Sequence, residues 1–226
     1  MRVEPEPFAR DYPDGPSVRG YLHAADAPSD DALVLTHGAG SNRAAPLLVA
    51  LADQFAGAGV ATLRCDLPYR QARPKGPPHR GAAARDREGL RRAVEAVREF
   101  ATGRVFLGGQ SYGGRQATLL AAEDSAAVDG LLLISYPLHP PGKPESLRTA
   151  HFPELQVAAF FAHGSKDAFG SLDQMRGALD LIPASHQLYE VGGGGHGLMK
   201  RGAGPEVISG LAAEIRRTFA RFMDGV

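Results

Sequence analysis

Short apolar runs recur along this chain, and longer stretches of helical periodicity separate them. The runs lie at 33–36, 60–63, 105–107, 131–134, 157–161 and 187–191. Most are apolar without polar alternation, as strands covered on both faces are. The intervening stretches, 44–58, 82–101, 111–123 and 172–181, read as helices, with Leu90, Val94 and Val97 at helical spacing in the second. A last helix starts at Pro205, a favoured first helical residue, and gathers Ile208, Leu211, Ile215, Phe219 and Phe222 on one face. Such alternation predicts an α/β fold with a mostly parallel central sheet and helices on both faces. Val18–His23 is expected as one antiparallel edge strand, after an irregular N-terminal segment over 1–17. The stretches 68–80 and 137–144 are proline-rich and expected to be irregular. Each follows a strand, so each belongs at the carboxyl edge of the sheet, where open α/β sheets bind ligands.

Composition narrows the function classes. With 226 residues, one domain spanning 1–226 is expected. Lys and Arg number 25 and Asp and Glu 25, so a general polyanion binder is disfavoured and no nucleic-acid partner is expected. The lone cysteine, Cys65, excludes an internal disulfide framework and reads as a small buried residue. The first residues carry acids and prolines where a signal peptide needs an apolar run, and no apolar stretch approaches membrane-spanning length. A soluble, cytoplasmic protein without a membrane partner is the expectation. The alanine, arginine and glycine usage hints at a GC-rich bacterial genome.

The most informative motif is Gly109-Gln110-Ser111-Tyr112-Gly113, a G-x-S-x-G pattern between an apolar run and an alanine-rich helical stretch. A serine on so sharp a strand-to-helix turn needs glycines two residues to either side, because side chains there would collide. Gly108 and Gly114 loosen the turn further. The turn projects the Ser111 hydroxyl over a helix N-terminus, where the dipole and the Tyr112 amide can stabilise an oxyanion.

With this elbow, the segments Leu35-Thr-His-Gly-Ala-Gly, Leu63-Arg-Cys-Asp-Leu-Pro-Tyr and Ser135-Tyr-Pro-Leu-His-Pro-Pro-Gly-Lys-Pro-Glu resemble the α/β-hydrolase superfamily. The likeness runs from about Val18 to Phe222. More narrowly they resemble its small dienelactone-hydrolase-like branch, which includes the testis-expressed/nonspecific-lethal hydrolase-like proteins. The resemblance implies an α/β-hydrolase fold. Dienelactone hydrolases proper carry cysteine at the elbow, where this chain has Ser111.

A serine hydroxyl needs a base, and the base a third group to hold it. The α/β-hydrolase order is nucleophile, acid, histidine. Asp167, just beyond the strand at 157–161, fits the acid better than Asp129, Asp173 or Asp180. His196, after Gly192 to Gly195 and before the last helix, fits the base better than His139, His151, His163 or His186. By the same resemblance, the His37-Gly38-Ala39-Gly40 turn supplies a second oxyanion donor, the Ala39 amide, beside that of Tyr112. Asn42 is positioned to cap the next helix.

Around this constellation, His37, Gly38, Tyr69, Arg70, Tyr136 and Phe169 are candidate substrate contacts. Tyr69, Tyr136 and Phe169 read equally as core. The loop at 68–80 carries Arg70, Arg73, Lys75 and Arg80 without an acid. A solvated surface is the favoured reading, and attraction of an anionic substrate the other. Arg64 and Asp66 are expected as a buried ion pair. The connection between 131–134 and Asp167 is too short for a large insertion, so little or no cap domain and an open site are expected.

The 8 histidines form no H-x-x-x-H pair, and no phosphate-binding or dinucleotide fingerprint is present, so neither metal nor cofactor is expected. The reading is a serine hydrolase of a small-molecule ester or thioester. A peptidase or amidase, or a non-catalytic hydrolase-like interaction module, stays open, and the sequence does not fix the oligomeric state.

Overall fold

The computed structural model describes residues 4–25, 30–79, 81–200 and 202–226. One sheet of 8 strands organises them, in the order β1-β2-β4-β3-β5-β6-β7-β8. The strands are β1 (Glu6–Arg10), β2 (Val18–His23), β3 (Ala32–Thr36), β4 (Ala61–Cys65), β5 (Val105–Gln110), β6 (Gly130–Ile134), β7 (Ala159–Gly164) and β8 (His186–Val191). The pairs β1–β2 and β2–β4 are antiparallel, and the rest are parallel. Six helices accompany them: α1 (Pro46–Ala56), α2 (Pro68–Ala72), α3 (Ala82–Arg98), α4 (Tyr112–Glu123), α5 (Leu172–Leu179) and α6 (Pro205–Met223).

The unalternating runs are buried on both faces because successive side chains point to opposite sides of the sheet. In β6, Leu131 and Leu133 join the core under α3, α4 and α5. Leu132 and Ile134 join the core under α1 and α6. In β7, Phe161 serves the first layer and Phe160 the second, where it packs edge-on against Phe219 of α6 at 5.9 Å. Between β6 and β7 lies only an irregular connection with one 3₁₀ turn, Phe152–Glu154, so no cap domain covers the sheet edge. Among the described residues, no helix is long and apolar enough to cross a membrane.

Several sequence expectations need correction. The N-terminal segment contains β1, which pairs with β2 and takes the sheet edge in its place. The proline-rich stretch after β4 opens with helix α2, because Pro68 occupies the first turn, where a missing N–H costs nothing. Asn42 does not cap α1. Its side chain accepts from the Ala44 amide at 2.8 Å, closing a turn ahead of a helix whose N-cap is Ala45. Arg64 and Asp66 do not pair. Arg64 Nε donates to His23 Nε2 at 2.7 Å, whereas Asp66 binds the Arg43 guanidinium and accepts from its amide at 2.7 Å.

Candidate active site

Ser111 follows β5 and precedes α4, with φ 51° and ψ −113°. A positive φ is strained for a residue with a Cβ, and the surroundings impose it. The Ser111 amide still bonds to Ile134 O at 2.8 Å, extending the β5–β6 ladder, while its carbonyl accepts the Arg115 amide at 2.9 Å and opens the helix. Its glycine neighbours have no room for side chains. A Cβ on Gly109 would lie 2.6 Å from the Gly113 carbonyl carbon, and one on Gly113 would lie 2.6 Å from His37 O.

Asp167 sits in the turn after β7, with its side chain fully buried. Its Oδ1 accepts from the Phe169 amide at 2.8 Å, which fixes the carboxylate plane. His196 comes from the loop after β8, and its Nδ1 lies 2.8 Å from Asp167 Oδ2. That carboxylate places the imidazole proton on Nδ1 and leaves Nε2 as an acceptor. Nε2 lies 2.8 Å from Ser111 Oγ. Phe169 stacks on the imidazole, with ring centroids 3.9 Å apart. The acid and histidine loops are tied to each other: Lys166 N donates to Gly194 O and Gly193 N to Ser165 Oγ, each at 2.8 Å. A Cβ on Gly164 would lie 2.4 Å from Gly194 O, so only glycine allows this approach.

The turn after β3 faces Ser111, with the Gly38 Cβ position 3.4 Å from Ser111 Cβ. Its carbonyls are held from behind. Tyr69 Oη reaches Gly38 O at 3.2 Å and Ala39 O at 2.9 Å, and Arg70 Nε donates to Ser41 O at 2.7 Å. A trans peptide points its N–H opposite to its carbonyl, so anchoring Gly38 O turns the Ala39 N–H away from Tyr69. Among the described residues that N–H donates to no backbone acceptor.

The remaining predicted contacts separate into lining and support. Gly38, Ala39, Ser111, Tyr112, Phe169 and His196 line one open cleft of about 520 Å³. His37 does not. It is fully buried, Nδ1 donating to Gly38 O at 2.9 Å and Nε2 accepting from Leu67 N at 3.2 Å, and burial lowers its pKa. Tyr69 and Arg70 support the turn, and Tyr136 is core, its hydroxyl donating to Arg148 O at 2.7 Å. In the basic loop, Arg73 and Lys75 are exposed and away from the cleft, and Arg80 lies outside the described residues. His163 is structural: its Nε2 donates to Gly170 O at 2.8 Å, and burial lowers its pKa.

Sequence reasoning missed two groups. Asp86 of α3, fully buried, accepts from Tyr112 Oη at 2.7 Å and from Tyr69 N at 3.0 Å, joining the supports of both candidate oxyanion donors. Arg115 and Arg148 also line the cleft. Helical spacing from Ser111 signals Arg115, but no pattern signals Arg148.

Residues 29–224 match the family model described as alpha/beta hydrolase domain. The chain belongs to the α/β-hydrolase family. Solved α/β-hydrolase structures share its fold throughout. Est1E from Butyrivibrio proteoclasticus is 15% identical with a TM-score of 0.72, over 94% of this chain and 98% of its own. An alpha-beta serine hydrolase homologue from Coxiella burnetii is 15% identical, TM-score 0.73, over 95% and 99%. A dienelactone hydrolase from Anabaena variabilis is 18% identical, TM-score 0.74, over 96% and 99%. Each of these likenesses is one of fold.

Proposed function

We propose that this α/β-hydrolase cleaves a small-molecule ester or thioester through an acyl-enzyme on Ser111. The observation that carries the reading is the continuous chain of contacts from Asp167 through His196 to Ser111 Oγ, each link at 2.8 Å. Ser111 Oγ attacks the carbonyl carbon as His196 Nε2 takes its proton. Asp167 holds the imidazole and stabilises the imidazolium that forms. The Ala39 and Tyr112 amides donate to the developing oxyanion, each contributing on the order of a hundredfold in rate. Collapse expels the alcohol or thiol, which leaves with the proton from Nε2. Water, deprotonated by His196, then attacks the acyl carbon, and Ser111 recovers its proton. The open cleft and the absence of a cap favour a small or extended substrate over a long buried acyl chain.

The test is intact-mass detection of fluorophosphonate labelling. One adduct on wild type, absent in Ser111→Ala and much slower in His196→Ala, is expected. Asp167→Asn should lower ester turnover by about 10⁴-fold through the wrong imidazole tautomer. Folded wild type that takes no adduct between about pH 6 and 9 would favour a binding module instead.

A further inference from the structure

The cleft beside Ser111 holds two cations that the proposed reaction does not use. Arg115 stands one helical turn beyond Ser111 in α4, its amide bonded to Ser111 O at 2.9 Å. Arg148 enters from the connection between β6 and β7. Its backbone is anchored, its amide donating to Leu138 O at 2.8 Å, and its Nη1 donates to Pro137 O at 3.3 Å. Both line the cleft with Ser111 and His196.

Many arginines elsewhere meet an acid, as in Arg10–Glu99, Arg87–Glu123, Arg91–Asp124 and Arg104–Asp31, while buried Arg64 and Arg70 are taken up by His23 and by backbone carbonyls. Among the described residues, neither Arg115 nor Arg148 forms an ion pair, and Arg115 Nε is buried with no partner. The two feel each other. Burial, and then the charge of Arg115, lowers the pKa of Arg148. Burial, and then Arg115, also pushes His151 down to about 4. Like charges gathered in a partly desolvated cleft oppose one another unless an anion joins them. Guanidinium groups present planar donor forks that match carboxylate or phosphate oxygens.

We infer that Arg115 and Arg148 form an anion subsite, so that the preferred substrate is an ester or thioester carrying a carboxylate or phosphate group near the scissile carbonyl. This rests on the hydrolase reading above. Arg73 and Lys75 of the basic loop do not line the cleft.

The test compares matched esters: p-nitrophenyl hexanoate against the mono-p-nitrophenyl ester of adipic acid, with the charge on the acyl side, and phenyl acetate against 3-acetoxybenzoate, with the charge on the leaving group. The charged member of at least one pair should have kcat/KM about tenfold or more above its neutral partner. That ratio should shrink toward one in R115Q and in R148Q, with R115K retaining part of it. In wild type it should fall as potassium chloride rises, a measurement that stands even where a variant misfolds. A preference confined to one pair locates the anion on the acyl or the leaving side. Ratios near one in both pairs, or ratios indifferent to salt and to both glutamine variants, overturn the subsite. Absence of fluorophosphonate labelling in the same wild-type preparation instead overturns the hydrolase reading on which it rests.

Discussion

Asp86 offers a sharp test of how the elbow is held. Its buried carboxylate accepts one bond from the Tyr112 hydroxyl and one from the Tyr69 amide. Burial, the dominant effect, raises its pKa, and the two bonds oppose that rise. Asp86→Ala deletes both acceptors and strands two donors, each costing about 1–3 kcal/mol. Relief of the buried charge offsets part of this, so a net loss of about 2–4 kcal/mol is expected, within the ~5–15 kcal/mol of a typical domain. With an m-value near the upper end of ~1–3 kcal/mol/M, the urea midpoint should drop by about 1 M. Tyr112→Phe should also destabilise, because it leaves Asp86 Oδ2 without its hydroxyl partner. The two substitutions share one bond, so their effects should fall short of additive by about 1 kcal/mol or more in a double-mutant cycle. A midpoint unchanged in Asp86→Ala, or strictly additive effects in the cycle, would refute the argument that this carboxylate braces the turn.

Further expectations concern other sites. Gly113→Ala forces a Cβ to 2.6 Å from His37 O and Thr36 Cγ2, and should cost about 1–3 kcal/mol in urea unfolding. Gly210→Ala, whose Cβ meets nothing within 4 Å on α6, should instead stabilise by about 0.5–1 kcal/mol, a contrast the same assay reads. His151, held neutral with a pKa of about 4 chiefly by burial, binds fewer protons folded than unfolded between about pH 4 and 6.5. Its contribution to stability is therefore full above that window and lost as pH falls through it, and His151→Gln should flatten this limb of the pH–stability curve. Cys65 is buried, and its thiol pKa is pushed up to about 12, chiefly by burial. It should resist a disulfide reagent in the native protein and react at the rate of unfolding; fast labelling under native conditions would contradict this.

Much of the sheet was legible because burial on both faces leaves a plain signature. Leu131 to Ile134 had to be apolar at every position, since two layers of helices compete for them. β1 left no such mark: Glu6–Arg10 pairs on one side only and stays largely exposed. Helix α2 was hidden because proline breaks helices except at their start, and the local sequence does not say which case applies. Arg64 and Asp66 suggested a pair by proximity along the chain, yet tertiary neighbours decided: His23 and Arg43 claimed them separately. Chain order and flanking glycines pointed to Ser111, Asp167 and His196, and the structure brings these three into one chain of contacts at 2.8 Å. Arg148 was not, because its place beside Ser111 depends on the path of an irregular segment, and irregular segments carry no period.

The backbone ties between the Asp167 and His196 loops bear on how this protein can be rebuilt. Lys166 to Gly194 and Gly193 to Ser165 make the two loops one mechanical part, with Gly164 as the joint that only a bare backbone fits. A graft that replaces either loop alone would bring mismatched halves, so a transplant should carry both. Added chain has a safer entry at the exposed stretch around Gly142 to Ser146, outside both loops in sequence. A designer wishing to roof the cleft would splice there and leave the two-loop part as delivered.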